Sequence, residues 1–311
     1  MERKISINDV EKALNEAYES NKDKTEGEVD PRLAKNTDAD AFGIAVVLTD
    51  GRTLSKGAVN TPAAMGKIAR LPLSVELLSQ YTPEELAKKS GSCCCAEKAA
   101  CGTKPKIAFG AHSIRAVSAV APQGDRDGKY QVLLDRVLAL TDGEPDFNDS
   151  LYQLLSEEAS AMKMAEVLSD AGYTLYDDAD KSIDVYARLM SLQLTAEQLG
   201  VMGATIAADG RNPRTGIYAF DGAVAANVVG LMASRKLGKH GRRAWMMRTG
   251  LPAAAGFGGT VLAVVPGFGA IAAYSPRLCE NGVSVRAAKA VADFAAKLGL
   301  NVYSSARVTI E

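Results

Sequence analysis

Strands at both ends of the chain and helices between them predict an α+β fold: an antiparallel sheet flanked by helices, with a helical subdomain inserted. Three observations carry this prediction. Residues 42–48 (FGIAVVL) form an apolar, β-branched run that meets Asp50-Gly51, a strong hairpin signal, with 52–56 as the return strand. A second pair of apolar runs, 259–265 and 270–274, flanks the turn Pro266-Gly267-Phe268-Gly269. Between the two pairs, from about 130 to 208, the pattern is mostly helical.

The elements follow in order. In 5–18, Ile7, Val10, Leu14 and Tyr18 recur at helical spacing, and the polar stretch 19–30 reads as loop. Residues 71–78 form a helix after Pro72, and 90–106, rich in Cys, Lys and Gly, reads as an irregular insert. Thr195 and Gln198 make a capping box. Leu199, Met202 and Ile206 then share one face, and Gly210 stops that helix. A last helix, 284–298, presents Val291, Phe294, Ala295 and Leu298 and stops at Gly299. The simplest closure joins the two hairpins in one sheet, flanked by the terminal helices. This gives a single domain, with a sheet subdomain of about 1–62 and 250–311 and a helical one of about 63–249. A site is expected in the cleft between them.

Composition bounds the function. The 311 residues are 47% hydrophobic and 23% charged, with 36 Lys plus Arg against 37 Asp plus Glu. That balance excludes nucleic-acid binding driven by bulk charge. No apolar run reaches membrane-spanning length, and the N-terminus lacks the apolar core of a signal peptide, so a cytoplasmic protein is expected. Glycine is frequent near 250–269, but Gly256-Phe257-Gly258-Gly259 precedes a strand, the wrong context for a dinucleotide fingerprint. Four of the five cysteines, Cys93, Cys94, Cys95 and Cys101, fall within nine residues; Cys279 stands apart. Free thiols in a reducing compartment are expected. The four are weak candidates for a metal, because side chains of consecutive residues in an extended chain diverge.

Several segments carry a resemblance when taken in order. They are Phe42-Gly43-Ile44-Ala45-Val46-Val47 with Asp50-Gly51 and Ser55-Lys56-Gly57, then Ser156-Glu157, then Asp184-Val185-Tyr186. Asn212-Pro213-Arg214-Thr215-Gly216 and Gly250-Leu251-Pro252 follow, then Gly256-Phe257-Gly258-Gly259, Val264-Val265-Pro266-Gly267 and Tyr274-Ser275-Pro276. From about Glu26 to the last helix, the chain resembles the bacterial serine-dependent glutaminases, which have a β-lactamase/transpeptidase-like fold. The resemblance implies hydrolysis of L-glutamine to L-glutamate and ammonia through an acyl-enzyme. The nucleophile of that reaction is the Ser of a Ser-x-x-Lys pair, whose Lys takes the Ser proton from the same helical face.

The residues that do this chemistry are not retained. Against the family pattern Phe-Ser-Ile-Gln-Ser-Ile-Ser-Lys, the chain reads Ala63-Ala64-Met65-Gly66-Lys67-Ile68-Ala69-Arg70 at its end. The nucleophile position holds Lys67 and the base position Arg70, and Arg does not act as a base near neutral pH. No Ser, Thr or Cys lies within two residues of Lys67. The family's substrate-binding Asn residues fall on Arg115 and Met164, its later Tyr at or near Lys239, and its Lys-Ser on Ala254-Ala255. Glu157, which the resemblance implies binds the substrate's amino group, and Tyr186, beside the nucleophile, are kept. Gly66 and Phe257 fall at binding positions.

Each residue also has a plainer reading. Lys67 and Arg70 form either a cationic pocket for a carboxylate or phosphate, to which Arg115 adds, or a solvated helix face; Lys67 as an amine nucleophile is a further alternative. Glu157 is either a ligand carboxylate or an exposed helix charge, and Tyr186 either a site residue or core. His112 and His240 suggest no triad, and the basic run 235–243 reads as a solvated loop or, less simply, a contact for an anionic partner. Two functions follow: a glutaminase-type amidohydrolase, or a non-catalytic homologue that binds a small anionic or amino-acid ligand or serves as an interaction protein. The expected partner is a small molecule, glutamine, glutamate or another anion. No cofactor, nucleic acid or membrane is expected, and homo-oligomerisation stays open.

Overall fold

The structure is a computed structural model that describes residues 2–90, 110–235, 237, 242–305 and 307–310. Helix α1 (Ile7–Glu19) opens at a capping box between Ser6 and Asp9 and buries Val10, Ala13, Leu14 and Ala17, one helical stripe. Strand β1 (Gly43–Leu48) turns at Gly51, in the left-handed region at φ 93°, into β2 (Thr53–Gly57). Every residue of β1 is buried, so its sequence is a continuous apolar run rather than an alternating one. A short 3-10 turn, Gly66–Ala69, leads into α2 (Arg70–Gln80); Pro72 sits in the first turn, where no amide donor is needed.

Five of the longer helices that follow begin at a side-chain cap. After α3 (Ala111–Ala119) come α4 (Arg126–Leu140), capped by Asp125, and α5 (Asp149–Ala161), capped by Asn148. Asp178 caps α6 (Ala179–Ser191), Thr195 caps α7 (Ala196–Ala207) through the expected box with Gln198, and Asp221 caps α8 (Gly222–Ser234). The chain then returns to strands β3 (Ala253–Ala255), β4 (Thr260–Val265) and β5 (Gly269–Tyr274). Helix α9 (Val285–Leu298) is capped by Ser284 and ends at Gly299, whose φ of 57° few other residues adopt.

The five strands form one antiparallel sheet in the order β2-β1-β5-β4-β3. Its centre is the pairing of β1 with β5, with Val46 opposite Ile271. The terminal helices cover one face: Val10, Leu14, Val291 and Phe294 pack on Val46, Leu48, Val261 and Ile271. Helix α7 covers the other, with Leu199, Met202 and Ile206 in one cluster with Val47, Leu262, Val264 and Ala270. This helix is buried around most of its circumference, and two glycines let it approach the sheet. A Cβ on Gly203 would stand 2.5 Å from the Ala270 Cβ.

The expectations fail in a few places. Residues 19–30 are not all loop: Glu28–Val29 pairs antiparallel with Arg277–Leu278. The edge strand β3 and the short strands Asp146–Phe147 and Leu192–Leu194 were not expected. The insert 90–106, with Cys93, Cys94, Cys95 and Cys101, lies outside the described residues apart from Ser90, where the helix Pro83–Ser90 ends. Among the described residues Cys279 is a free thiol, no helix is long and apolar enough to cross a membrane, and no three His, Cys, Asp or Glu are placed to hold a metal.

The tight seat of α7 gives a test. Replacing a helical Gly with Ala ordinarily stabilises by up to about 1 kcal/mol. At Gly203 the added methyl meets Ala270 and Leu262 in the middle of the sheet. Gly203→Ala is therefore expected to lower stability by about 1–3 kcal/mol. Urea unfolding reads this out, and a midpoint at or above that of the unsubstituted protein would show that the sheet yields freely.

Candidate functional site

The site rests on backbone packed against backbone. Ala63–Ala64 pairs with Leu192–Leu194, and the Met65 amide donates to the Leu192 carbonyl at 2.8 Å. The turn between β3 and β4 lies directly on this segment. A Cβ on Gly256 would come 2.5 Å from the Met65 carbonyl oxygen, and one on Gly258 would come 2.4 Å from that of Ala64. Gly66, at φ 50°, faces the Phe257 ring, which a Cβ there would meet at 2.7 Å. The glycine-rich run is thus required for close approach.

Above this floor is a cavity of about 380 Å³. Lys67 and Arg70 line one side; three positions apart, they share a face of the turn that starts α2. Lys67 is exposed and Arg70 half-buried. The Arg70 Nε donates to the Ser113 hydroxyl at 2.8 Å. Ser74, one turn on, donates to the Arg70 carbonyl at 2.6 Å and accepts from Arg235 Nη2 at 3.1 Å. Burial pushes the Arg235 pKa down to about 10, and the charge of Arg70 adds to that against a smaller opposing effect of Tyr186.

Apolar walls come from Leu155 on α5, Tyr186 and Met190 one turn apart on α6, and Phe257. Tyr186 fits because Gly110, at φ 92°, has no side chain; a Cβ there would stand 3.1 Å from the Tyr186 ring. Asp30, Arg32 and Glu158 form the remaining side. Arg32 forks onto Asp30 at 2.9 and 2.8 Å and reaches a Glu158 oxygen at 3.4 Å. Its guanidinium carbon lies 4.4 Å from the Phe257 ring centroid, a cation–π contact. Burial opposes ionisation of Asp30, but the hydrogen bonds and charge of Arg32 outweigh it and hold the carboxyl below the usual range.

Of the residues named from sequence, Lys67, Arg70, Tyr186 and Phe257 meet at this cavity. Tyr186 is 1% exposed and packs in the core while also lining the cavity. Gly66 does not line the cavity but seats Phe257. Glu157 is exposed and does not line the cavity, whereas its neighbour Glu158, on the same face as Leu155, does. Adjacent residues on a helix point about 100° apart, so only one of the two carboxylates can face inward.

Arg115 and Met164 do not line the cavity either. On α3, Ser113 faces Arg70, while Arg115, two positions on, is buried elsewhere and donates to the Tyr176 hydroxyl at 3.3 Å. Met164 is buried in the main core at the start of the helix Met164–Asp170. Lys239 is outside the described residues. Within the basic run, Arg235 is not solvated but turned inward onto Ser74, and Leu237 is buried. Sequence reasoning missed Asp30, Arg32, Glu158 and Arg235. The one local signal was Asp30-Pro31-Arg32, where the Arg32 amide also donates to the Asp30 carboxylate at 3.0 Å.

Comparison with known proteins places this geometry. The Glutaminase family model matches residues 28–303. A glutaminase of Bacteroides fragilis is 31% identical over a 327-residue alignment that takes in all of this chain and 99% of that protein. Among solved structures, the probable glutaminase ybaS superposes with a TM-score of 0.86 at 29% identity, over 97% of this chain and 100% of that one. The Bacillus subtilis glutaminase YbgJ, solved as a covalent complex with 5-oxo-L-norleucine, gives a TM-score of 0.76 at 17% identity, over 95% and 98% of the two chains; this likeness is one of fold. The fold is the β-lactamase-like one of these structures.

The Asp30–Arg32 contact sets a pH dependence. A carboxyl held below its ordinary pKa contributes stability that is complete above that ordinary value, about 4, and is lost as pH falls through the lower folded value. The Arg32 clamp is therefore expected to persist at pH 4 and to open only in more acidic solution. The Arg32 Nε–H resonance, followed by NMR against pH, checks this. Opening well above pH 4, or the same profile in Asp30→Asn, would refute it.

Proposed function

The chain belongs to the glutaminase family, and we propose that it is a member that has kept the cleft but binds a small anionic ligand there instead of hydrolysing an amide. The observation that carries this reading is the pair Lys67 and Arg70, which stand at the positions the family gives to its nucleophile and base, and which both line the cavity. A guanidinium holds its proton throughout the physiological range, so Arg70 has no means of activating a nucleophile. Side by side, the two cations favour an oxyanion over a neutral amide. Anionic amino acids such as glutamate fall within this class, with Glu158 and Asp30 across the cavity from the cations.

The hydrolase reading draws support from Tyr186, which keeps its place beside the former nucleophile position. The two readings separate in one experiment. Purified protein incubated with glutamine is expected to release no ammonia above the buffer control, while glutamate raises its melting temperature. Arg70→Gln should remove that rise. Ammonia release that Lys67→Ala abolishes would overturn the proposal in favour of a glutaminase with an amine nucleophile.

A further inference from the structure

Building on the anion-binding reading of the cleft, we propose that the ligand is a small phosphate monoester with an amine-bearing tail, its phosphoryl group gripped by Arg70 and Arg235. Arg235 comes from the stretch after α8 and reaches Ser74, one turn into α2. Ser74 joins the two cations, since it donates to the Arg70 backbone and accepts from the Arg235 guanidinium. A guanidinium has five N–H donors in a planar fork. Among the described residues, Arg70 gives one to Ser113 and Arg235 gives one to Ser74; the side chains of both are otherwise unbonded and neither makes an ion pair.

Arg115 likewise has a hydroxyl as its partner, that of Tyr176, but other inward cations of this protein are more fully engaged. Lys129 is paired with Asp177 at 2.6 Å and Arg136 with Glu76 at 2.8 Å. Arg286 has no carboxylate against it, yet it spends its fork on Ser275 and the carbonyls of Lys22 and Asp40. Arg70 and Arg235 instead face each other's charge with hydroxyl partners only. Two half-buried like charges repel, and an anion bridging both forks removes the repulsion and satisfies the open donors together.

The distribution of charge selects the kind of anion. Lys67 and Arg70 line one end of the cleft, and Arg235 lies beside Arg70 through their shared partner Ser74. At the other, Asp30 and Glu158 share Arg32, their one cationic partner among the described residues, leaving one negative charge in excess. A dicarboxylate would have to place its second charge at that acidic end. A phosphoryl group carries about two charges on one atom centre near pH 7, which suits the two neighbouring guanidiniums, and its oxygens match the arginine fork. The acidic end then suits an ammonium, with Leu155, Met190 and Phe257 along a short aliphatic link.

Calorimetric titration of the full chain at low ionic strength tests this, with phosphoethanolamine, inorganic phosphate, glutamate and succinate as probes. Phosphoethanolamine is expected to bind most tightly, phosphate next, and succinate at least about tenfold more weakly than phosphoethanolamine. Arg235→Gln should weaken both phosphate probes about tenfold or more and erase their advantage over glutamate. In phosphate-free buffer the same variant should melt at or above the unsubstituted protein, because one of two repelling charges is gone; a lower melting temperature would mark Arg235 as structural and overturn the assignment. If glutamate binds but neither phosphate probe does, this inference falls and the anion-binding reading stands. If none of the four binds, both fall.

Discussion

The contact on which the site depends is the one between the turn at 256–259 and the segment 63–66, where main chain lies on main chain with no side chain between them. Gly256, Gly258 and Gly66 make it possible, since a Cβ at any of the three would overlap a carbonyl oxygen or the Phe257 ring. The contact fixes the start of α2 relative to the edge of the sheet. Lys67, Arg70 and Phe257 thereby share one cavity although they come from distant parts of the chain. Glycine in ordered backbone costs conformational entropy, and three at one junction are consistent with a geometry that other parts of the fold must support. The pairing of β1 with β5 supplies that support from below, and α7 from the opposite face.

The elements legible from sequence are those whose signal is local or doubled. Strands β1, β4 and β5 are buried throughout, so their apolar runs are unbroken and flanked by turn residues. Helix α7 announces itself by its capping box. Strand β3 gives no such signal: three alanines have little strand preference, and only pairing with β4 makes them extended. Glu28–Val29 is a strand for the same reason, through Arg277–Leu278.

The site was half legible. Lys67, Arg70, Tyr186 and Phe257 follow from the order of motifs along the chain. Glu157 and Glu158 show where that reasoning reaches its limit, because an alignment carries no helical phase and one position turns a carboxylate from the cavity to solvent. Arg235 shows a different limit. In sequence it opens a basic run that reads as solvated surface, and only the tertiary contact with Ser74 turns it inward. The charge balance of the whole chain, near zero, gives no hint that Lys67 and Arg70 line one side of a cleft whose other side carries Asp30 and Glu158.

Arg70, where the family resemblance puts a base, bears on more than catalysis. A lysine that accepts a proton must spend part of its time uncharged, so a site built on it alternates between attracting and ignoring an anion. A guanidinium does not alternate. Even Arg235, with its pKa pushed down to about 10 by burial and by Arg70, is protonated at neutral pH. Both arginines therefore present permanent charge, and neither is neutralised by a carboxylate among the described residues. Across the cavity Arg32 holds Asp30 and Glu158 in place and stacks on Phe257, so the acidic end is as fixed as the basic one. On the anion-binding proposal, a cleft with ends of opposite sign selects for a ligand's charge separation before its shape.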